Sequence, residues 1–521
     1  MKNILIAIRS IFKKGRHNVM KIVSLGIGLA VGLVLIAKVY FEQSYDDFYP
    51  DRDRVYQVWA KYQQNGGELK DYPQTSGGIA PTMQQQIPEI ETVTRYTSFG
   101  DWTFTMTDTK MKYSGRCIIA DSCFFDILPR PMLIGNAKEV LSTPMYVLIS
   151  SRIAKNIGGD VIGKNFTVDN SPGRTMTIGG VFEEVPENSH SRYDVIVSMA
   201  SAGRFMWEGS PTNMLGNDRY ISYVKLHKGV NPLALEEQVR TFVNSYFPPE
   251  EQQKVGLSID FSFHKLDNLH KELPQVKRMT WILSLLAFAL IFTAVMNYIL
   301  IVISSIVNRS KEVAVHKCYG ASENNIHGMM FGEALVHIVL SLILALLLIL
   351  AFRGTVEELL ATSLDSLLLS NGSLVLLGIC ILVFFVSGFM PGSLYARIPV
   401  ASAFRNYREN KRIWKKALLL VQFVATGFLV TMLVFVARQY TFMVNDRPGY
   451  AYENLAYCGL AGVDSTSRAK ILDEVMRLPG VAAATTVYQL PFEHASGNNI
   501  LLPGGTQELF NIADLYWVGN G

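Results

Sequence analysis

Apolar positions along this chain of 521 residues gather into five runs, at 22–41, 279–306, 329–352, 374–395 and 417–437. A helix needs roughly 20 residues to cross about 30 Å of hydrocarbon, so each run is predicted to span a membrane. Between the first two runs the pattern changes. Arg54–Trp59, Thr175–Ile178 and Tyr220–Leu226 are alternating or β-branched and read as strands, whereas Ile79–Gln86 and Leu233–Tyr246 read as helices. Residues 42–278 are therefore expected to form an α+β domain outside the bilayer, with the first run as a retained anchor.

Composition agrees with a chain that is part membrane and part soluble. The sequence is 49% hydrophobic, too apolar for an ordinary soluble protein of this size, yet 18% charged, too much for one that is all membrane. Its net charge is only +4, with basic residues clustered beside the apolar runs, so topology explains them better than nucleic acid does. Lys2, Arg9, Lys13, Lys14, Arg16 and Lys21 precede the first run with no acid among them. Arg397, Arg405, Arg408, Lys411, Arg412, Lys415 and Lys416 sit between the fourth and fifth runs against Glu409 alone. Both stretches belong in the cytoplasm by the positive-inside rule. That puts 42–278, 353–373 and 438–521 outside and 307–328 and 396–416 inside, with 1–21 as an amphipathic helix on the inner leaflet that sets Ile4, Ile8, Ile11 and Phe12 opposite the basic residues. Within the spans, Lys38 is expected to snorkel to the interface and Glu333, with His337 in the opening turns of the third run, to be interfacial rather than catalytic.

The segment Arg309–Ala321, between the second and third runs, is compact, mixed in charge and helix-competent. A membrane protein that places such a segment between two spans offers a surface to something outside the bilayer, here expected to be a motor subunit. A solvated loop obeying the positive-inside rule would explain the Lys and Arg residues alone.

Other candidate chemistry is weak. Gly158–Lys164 has the glycine and lysine spacing of a phosphate-binding loop, but Asn165 stands where Ser or Thr must hold magnesium, so a β-turn is expected. Asn188, Ser189 and His190 with Asp194 contain the residue types of a hydrolase triad, yet neighbours in an extended segment point in alternating directions, and a capping role is expected. The remaining histidines lack metal-ligand spacing, and no Cys-x-x-Cys occurs. Cys117 and Cys123 leave a disulfide open.

Internal similarity is the last signal. Ala7-Ile8-Arg9 ahead of the first run resembles Ala403-Phe404-Arg405 ahead of the fifth, and Ile87–Thr94 matches Leu478–Thr485 in type and spacing. Residues 438–521 then read as the start of a second external domain, cut short by truncation.

In their order along the chain, Asp121–Phe125, Val181–His190 with Asp194, Ala294–Ile299, Arg309–Ala321, Gly388–Pro391 with Tyr395-Ala396, and Ala417–Phe423 resemble the FtsX-like, or MacB-type, permeases of ABC transporters, and more narrowly their duplicated eight-span form common in Bacteroidetes. His316, Cys318 and Gly392 depart from the family's pattern, as does the lack of three further spans. The resemblance implies a MacB-like periplasmic core domain, an inner-membrane location and a permease that is not itself an enzyme. It also implies a separate cytoplasmic ABC ATPase that holds ATP and magnesium, with no cofactor or metal in this chain. The segment after the second span becomes a coupling helix: Arg309, Lys311, Glu312 and Lys317 offer charges to a groove on the ATPase, Val313 and Val315 anchor toward the bilayer, and Gly320 ends the helix. Implied partners include a periplasmic adaptor and an outer-membrane channel, and the implied task is export of an antimicrobial compound, peptide or lipid-linked molecule. Activation of a cell-wall hydrolase and an inactive fragment stay open as alternatives.

Overall fold

The computed structural model describes residues 17–64, 67–168, 171–216, 218–396, 399–401, 413–446, 454–460, 463, 465–487, 490, 496–501 and 508–515. The expected helix at 1–21 and the basic linker at 396–416 thus lie largely outside the described residues. Two compact units divide the chain: one takes most of it up to Arg447, the other 101–114, 164–176 and 448–521.

In the first unit five helices have the length and apolarity to cross a membrane: Asn18–Gln43, Pro274–Ser304, Glu323–Ala351, Ser373–Ala396 and Leu419–Asn445, the last within a helix that begins at Ile413. The second and third begin five and six residues before their apolar runs, because proline and a helix cap set the start rather than hydropathy. Pro274 opens the second span, where its missing N–H costs nothing. Ser322 caps the third, its hydroxyl accepting from the Asn325 N–H at 3.4 Å. This earlier start moves Glu333 and His337 out of the opening turns and into the body of the span. Glu333 is buried and meets the buried Lys21, in the first turn of the first span, at 3.6 Å. Glu333, His337 and Ser341 share a helical face, and His337 Nδ1 lies 3.2 Å from the Tyr298 hydroxyl while Ser341 donates to the Ile22 carbonyl at 3.1 Å. Polar groups at this depth are held because neighbouring helices supply their partners.

The first span is the hub, packing on the second and third. Its glycines make that possible: a methyl at Gly28 would collide with the Ala294 side chain, and one at Gly32 with Ile291. Around them Leu25, Leu29, Val295, Ile299, Ile338 and Ala345 close an apolar core. The fifth span leaves nearly its whole apolar surface exposed.

The external domain is built on a mixed sheet. Strands β1 (Val55–Gln64), β2 (Lys70–Tyr72), β3 (Ile90–Met106), β4 (Lys112–Ala120), β5 (Met132–Ile134), β6 (Tyr146–Ser150), β7 (Asn165–Val168), β8 (Ser171–Phe182), β9 (Val195–Ser198), β10 (Ile221–Leu226) and β11 (Leu257–Lys265) take part. Their order is β11-β1-β10-β3-β4-β9-β6-β8-β5, with β2 on the edge of β1. The β1, β10 and β11 end is antiparallel and is covered by helices Ile79–Gln86 and Glu236–Tyr246, whose Ile79, Met83, Phe242 and Val243 meet Val58, Val224 and Phe261. The other end mixes parallel β4–β9 and β6–β8 pairs over a second core containing Phe124, Leu148, Phe182 and Ile196. Leu233–Tyr246, expected as one helix, divides into a 3-10 turn at Pro232–Leu235 and an α-helix from Glu236.

In the second unit Phe104 to Met106 pair antiparallel with Val168 to Phe166. Its C-terminal residues include helix Ser465–Met476 and the antiparallel strands Ser496–Leu501 and Glu508–Leu515. The internal sequence match has a local counterpart. Helix Ile79–Gln86 is followed by a turn in which the Ile90 N–H reaches the Ile87 carbonyl at 3.1 Å, and helix Ser465–Met476 by one in which Val481 reaches Leu478 at 3.2 Å. A strand continues from Ile90, whereas among the described residues none continues from Val481.

Candidate functional site

At the domain-distal end of the bundle, residues 306–318 form one helix, Ile306–Cys318. Its end is a Schellman motif: the Ala321 N–H bonds the His316 carbonyl and the Gly320 N–H the Lys317 carbonyl, both at 3.0 Å. Gly320 stands at φ +86°, a left-handed conformation that a side chain makes costly. Val313 and Ala314 are buried in the bundle core. Val315 is 44% exposed, contrary to the expectation that it anchors beside Val313, because a step of two residues turns a helix by about 200°. Lys317 is also not available as expected: its ammonium donates to the Ala396 carbonyl at 2.7 Å, capping the C-terminus of the fourth span where cations are favoured. Lys311 and His316 are exposed and Glu312 is half-buried; Arg309 lies on the helix with its side chain outside what the structure describes. Sequence reasoning passed over Tyr319, which is 89% exposed beyond the last helical turn. A large aromatic placed just before a helix-ending glycine was the available signal.

The other end is a clasp between the residues that leave the first span and Glu187–Ser191. Asp46 is buried at φ +57°, a conformation Asp tolerates. Its carboxylate accepts from the Ser189 hydroxyl at 2.6 Å, from the His190 N–H at 3.3 Å and from His190 Nδ1 at 2.5 Å. Asn188 donates to the Ser44 carbonyl at 2.7 Å and accepts from the Asp46 N–H at 2.9 Å. Tyr49 and Ser191 share a hydrogen bond of 2.6 Å. Glu187 extends the clasp to the loop between the third and fourth spans, accepting from the Ser363 N–H at 3.0 Å.

Beside it, Glu42 joins Lys38 at 2.6 Å and His270 at 2.5 Å, and Lys38 also donates to Thr362 at 2.8 Å. Lys38 is thus buried in a pair rather than snorkelling as expected. Tyr45 stacks on His270 with centroids 3.7 Å apart and meets His190 edge-on at 4.9 Å. Burial raises the Tyr45 hydroxyl above its ordinary range, so it stays a neutral ring between the two imidazoles.

The hydrolase constellation does not assemble. Asp194 pairs with Arg152 at 2.6 Å and accepts from the Arg116 N–H at 2.9 Å, while His190 takes Asp46. Gly158–Lys164 is a turn segment in which the Asp160 carboxylate accepts from the Ile162 N–H at 3.2 Å. Cys117 and Cys123 are free, with no bridge between them. Among the described residues no group of His, Cys, Asp or Glu forms a metal cage.

A multi-pass chain with an α+β domain carried between its first two spans is the architecture of a permease with an extracytoplasmic core. The MacB-like periplasmic core domain family matches residues 20–242, and the FtsX-like permease C-terminal family matches 284–400. The chain belongs to the FtsX-like, MacB-type permeases of ABC transporters. Similar solved structures include a domain described as part of a permease of Porphyromonas gingivalis, 33% identical over 42% of this chain and 91% of that one, with a TM-score of 0.39. The periplasmic region of MacB from Actinobacillus actinomycetemcomitans is 15% identical over 40% of this chain and 87% of its own, with a TM-score of 0.28. The extracellular domain of the ABC-type transporter YknZ from Gram-positive bacteria is 12% identical over 39% of this chain and 98% of its own, also with a TM-score of 0.28. No curated protein matches.

Proposed function

We propose that this chain is the transmembrane subunit of an inner-membrane exporter, N-terminus in the cytoplasm and core domain in the periplasm, driven by a separate ABC ATPase. The observation that carries the reading is the helix Ile306–Cys318, which is fixed at its base and open on its outer face. Buried Val313 and Ala314 and the Lys317–Ala396 bond hold it to the bundle, while Lys311, Val315, His316 and Tyr319 face outward. A helix held this way passes on a push, because its base cannot give without moving the second and fourth spans. ATP and magnesium are assigned to the partner, whose closure presses on this helix; Arg309 and Glu312 add charge to the contact.

The clasp is the matching joint at the far end. It ties the exits of the first and third spans to the external domain through Asp46, Glu187 and Ser363. The motion delivered there expels a substrate handled outside the membrane, such as a peptide, antimicrobial compound or lipid-linked molecule, with a periplasmic adaptor and outer-membrane channel as onward partners.

Co-purification of this chain with an ABC ATPase from the same cells, and the ATP turnover of that ATPase, test the reading. Reversing Lys311 and Glu312 together with Tyr319→Ala is expected to release the ATPase and return its turnover to the unstimulated rate. Unchanged association would refute the assignment of the helix.

A further inference from the structure

Arg130 follows the short helix Phe124–Ile127 and precedes β5, and it is 6% exposed in the core of the external domain. Its guanidinium carbon lies 5.1 Å from the centroid of Phe182, 5.7 Å from Phe125, 5.8 Å from Phe124 and 6.0 Å from Tyr193. These rings attract the cation through their faces. They do nothing for its N–H donors: Nε, Nη1 and Nη2 are all buried, and none has a hydrogen-bond acceptor among the described residues. No described carboxylate pairs with it either, although burial lowers the guanidinium pKa and a buried charge is costly unless hydrogen-bonded.

The other buried cations among the described residues have partners. Lys21 has Glu333, Lys38 has Glu42, and Lys225 has Asp51 at 2.6 Å. Among the described buried cations Arg130 alone has no carboxylate, and the neighbour that approaches its fork, the Tyr49 hydroxyl, does not meet it in hydrogen-bond geometry. The Tyr49 hydroxyl beside it is already shared with Ser191.

We infer that Arg130 is the recognition group of a carboxylate-binding site in the external domain, taking the carboxylate of a small molecule or of a peptide C-terminus. The fork of N–H donors matches a carboxylate in two parallel hydrogen bonds. The surrounding rings favour a flat group that can lie in the guanidinium plane over a tetrahedral one. Tyr49 gives the site a consequence. It bonds Ser191, which approaches Ser189 at 3.4 Å, and Ser189 bonds Asp46, so an occupant at Arg130 lies one side chain from the clasp.

The test uses the purified full chain in detergent, with thermal unfolding followed as acetate replaces chloride at constant ionic strength. A tripeptide with a free C-terminus is compared with its C-terminal amide. The wild type is expected to gain a saturable rise in Tm with acetate, with the free-acid peptide, or with both, and none with the amide. Acetate activity identifies a small-molecule site, and activity of the free-acid peptide alone identifies a peptide end. Arg130→Met is expected to abolish the response while melting no lower than the wild type without ligand, since an uncompensated charge has been removed. Arg130→Lys keeps the charge without the fork and should weaken binding at least tenfold. If Arg130→Met does not fold, saturation-transfer NMR of acetate on the wild type and on Arg130→Lys decides in the same terms. A wild type indifferent to acetate and to the free acid, or variants that respond as it does, would leave the guanidinium held by its rings alone and overturn the site.

Discussion

The two ends of the transmembrane bundle solve opposite problems. At the clasp nearly every polar side chain finds its partner inside the chain: Asp46 with Ser189 and His190, Glu42 with Lys38 and His270, Glu187 with Ser363. At the helix Ile306–Cys318 the base is satisfied internally, but Lys311, Val315, His316 and Tyr319 are turned outward. A region whose bonds close on themselves is a joint. One that leaves an aromatic and charges in the open is what the proposed ATPase contact requires. Substitutions should therefore separate them, the clasp failing in stability and the helix in association.

The largest effect is expected at Asp46. Asp46→Ala strands three donors around a buried position, and breaking a buried pair costs about 3 kcal/mol, which should appear as a drop of several degrees in the Tm of the purified chain. A Tm within one degree of the wild type would show that the clasp is not a joint. Tyr319→Ala should do the reverse. It should weaken the ATPase complex by about 2 kcal/mol, roughly thirtyfold in Kd by titration, with Tm unchanged. Gly320→Ala should cost about 1 kcal/mol of stability by forcing a side chain into the left-handed region, with a smaller loss of affinity as the helix end frays. Lys317→Met, which removes the bond to Ala396, should cost about 1 kcal/mol in Tm experiments and leave ATPase affinity nearly intact. A large loss of affinity instead would return Lys317 to the contact surface.

The smallest expected effect concerns pH. Arg54 and Lys225 hold the Asp51 carboxyl down to about 2 from an ordinary value of 3.8. A carboxylate depressed on folding stabilises above its unfolded value and loses that contribution as pH falls through the folded one. Stability from this cluster should stay level down to about pH 4 and decline between pH 4 and 2. Asp51→Asn should flatten that decline. The cluster is partly exposed, so the change is small.

Much of the architecture was legible in the sequence because hydropathy over about 20 residues and period-two alternation are local signals. All five spans, the α+β class and the helix Ile79–Gln86 followed from them. What escaped depended on distance. Nothing in the neighbourhood of His190 points to Asp46, 144 residues earlier. Lys317 looked like a free charge because its partner is a backbone carbonyl, which every residue possesses. Val315 was misassigned for a simpler reason, since helical period alone places it away from Val313. Arg130 was not seen at all, for a single arginine near a proline carries no signal until the rings around it are in place.

The glycines of the first span limit what kind of stroke this bundle can make. Gly28 and Gly32 sit where the second span leaves no room for a methyl group. Sliding the first span along the second by one helical turn, four residues, would bring Ser24 into the place of Gly28 or Ile36 into that of Gly32. Either exchange drives side-chain atoms into the space held by the Ala294 and Ile291 side chains, so the slipped register is disfavoured and the pair is expected to move as a single spar. Movement between its ends must then be tilt or rotation of the whole spar, and crosslinks placed along its length should be as permissive of turnover as one placed at its middle.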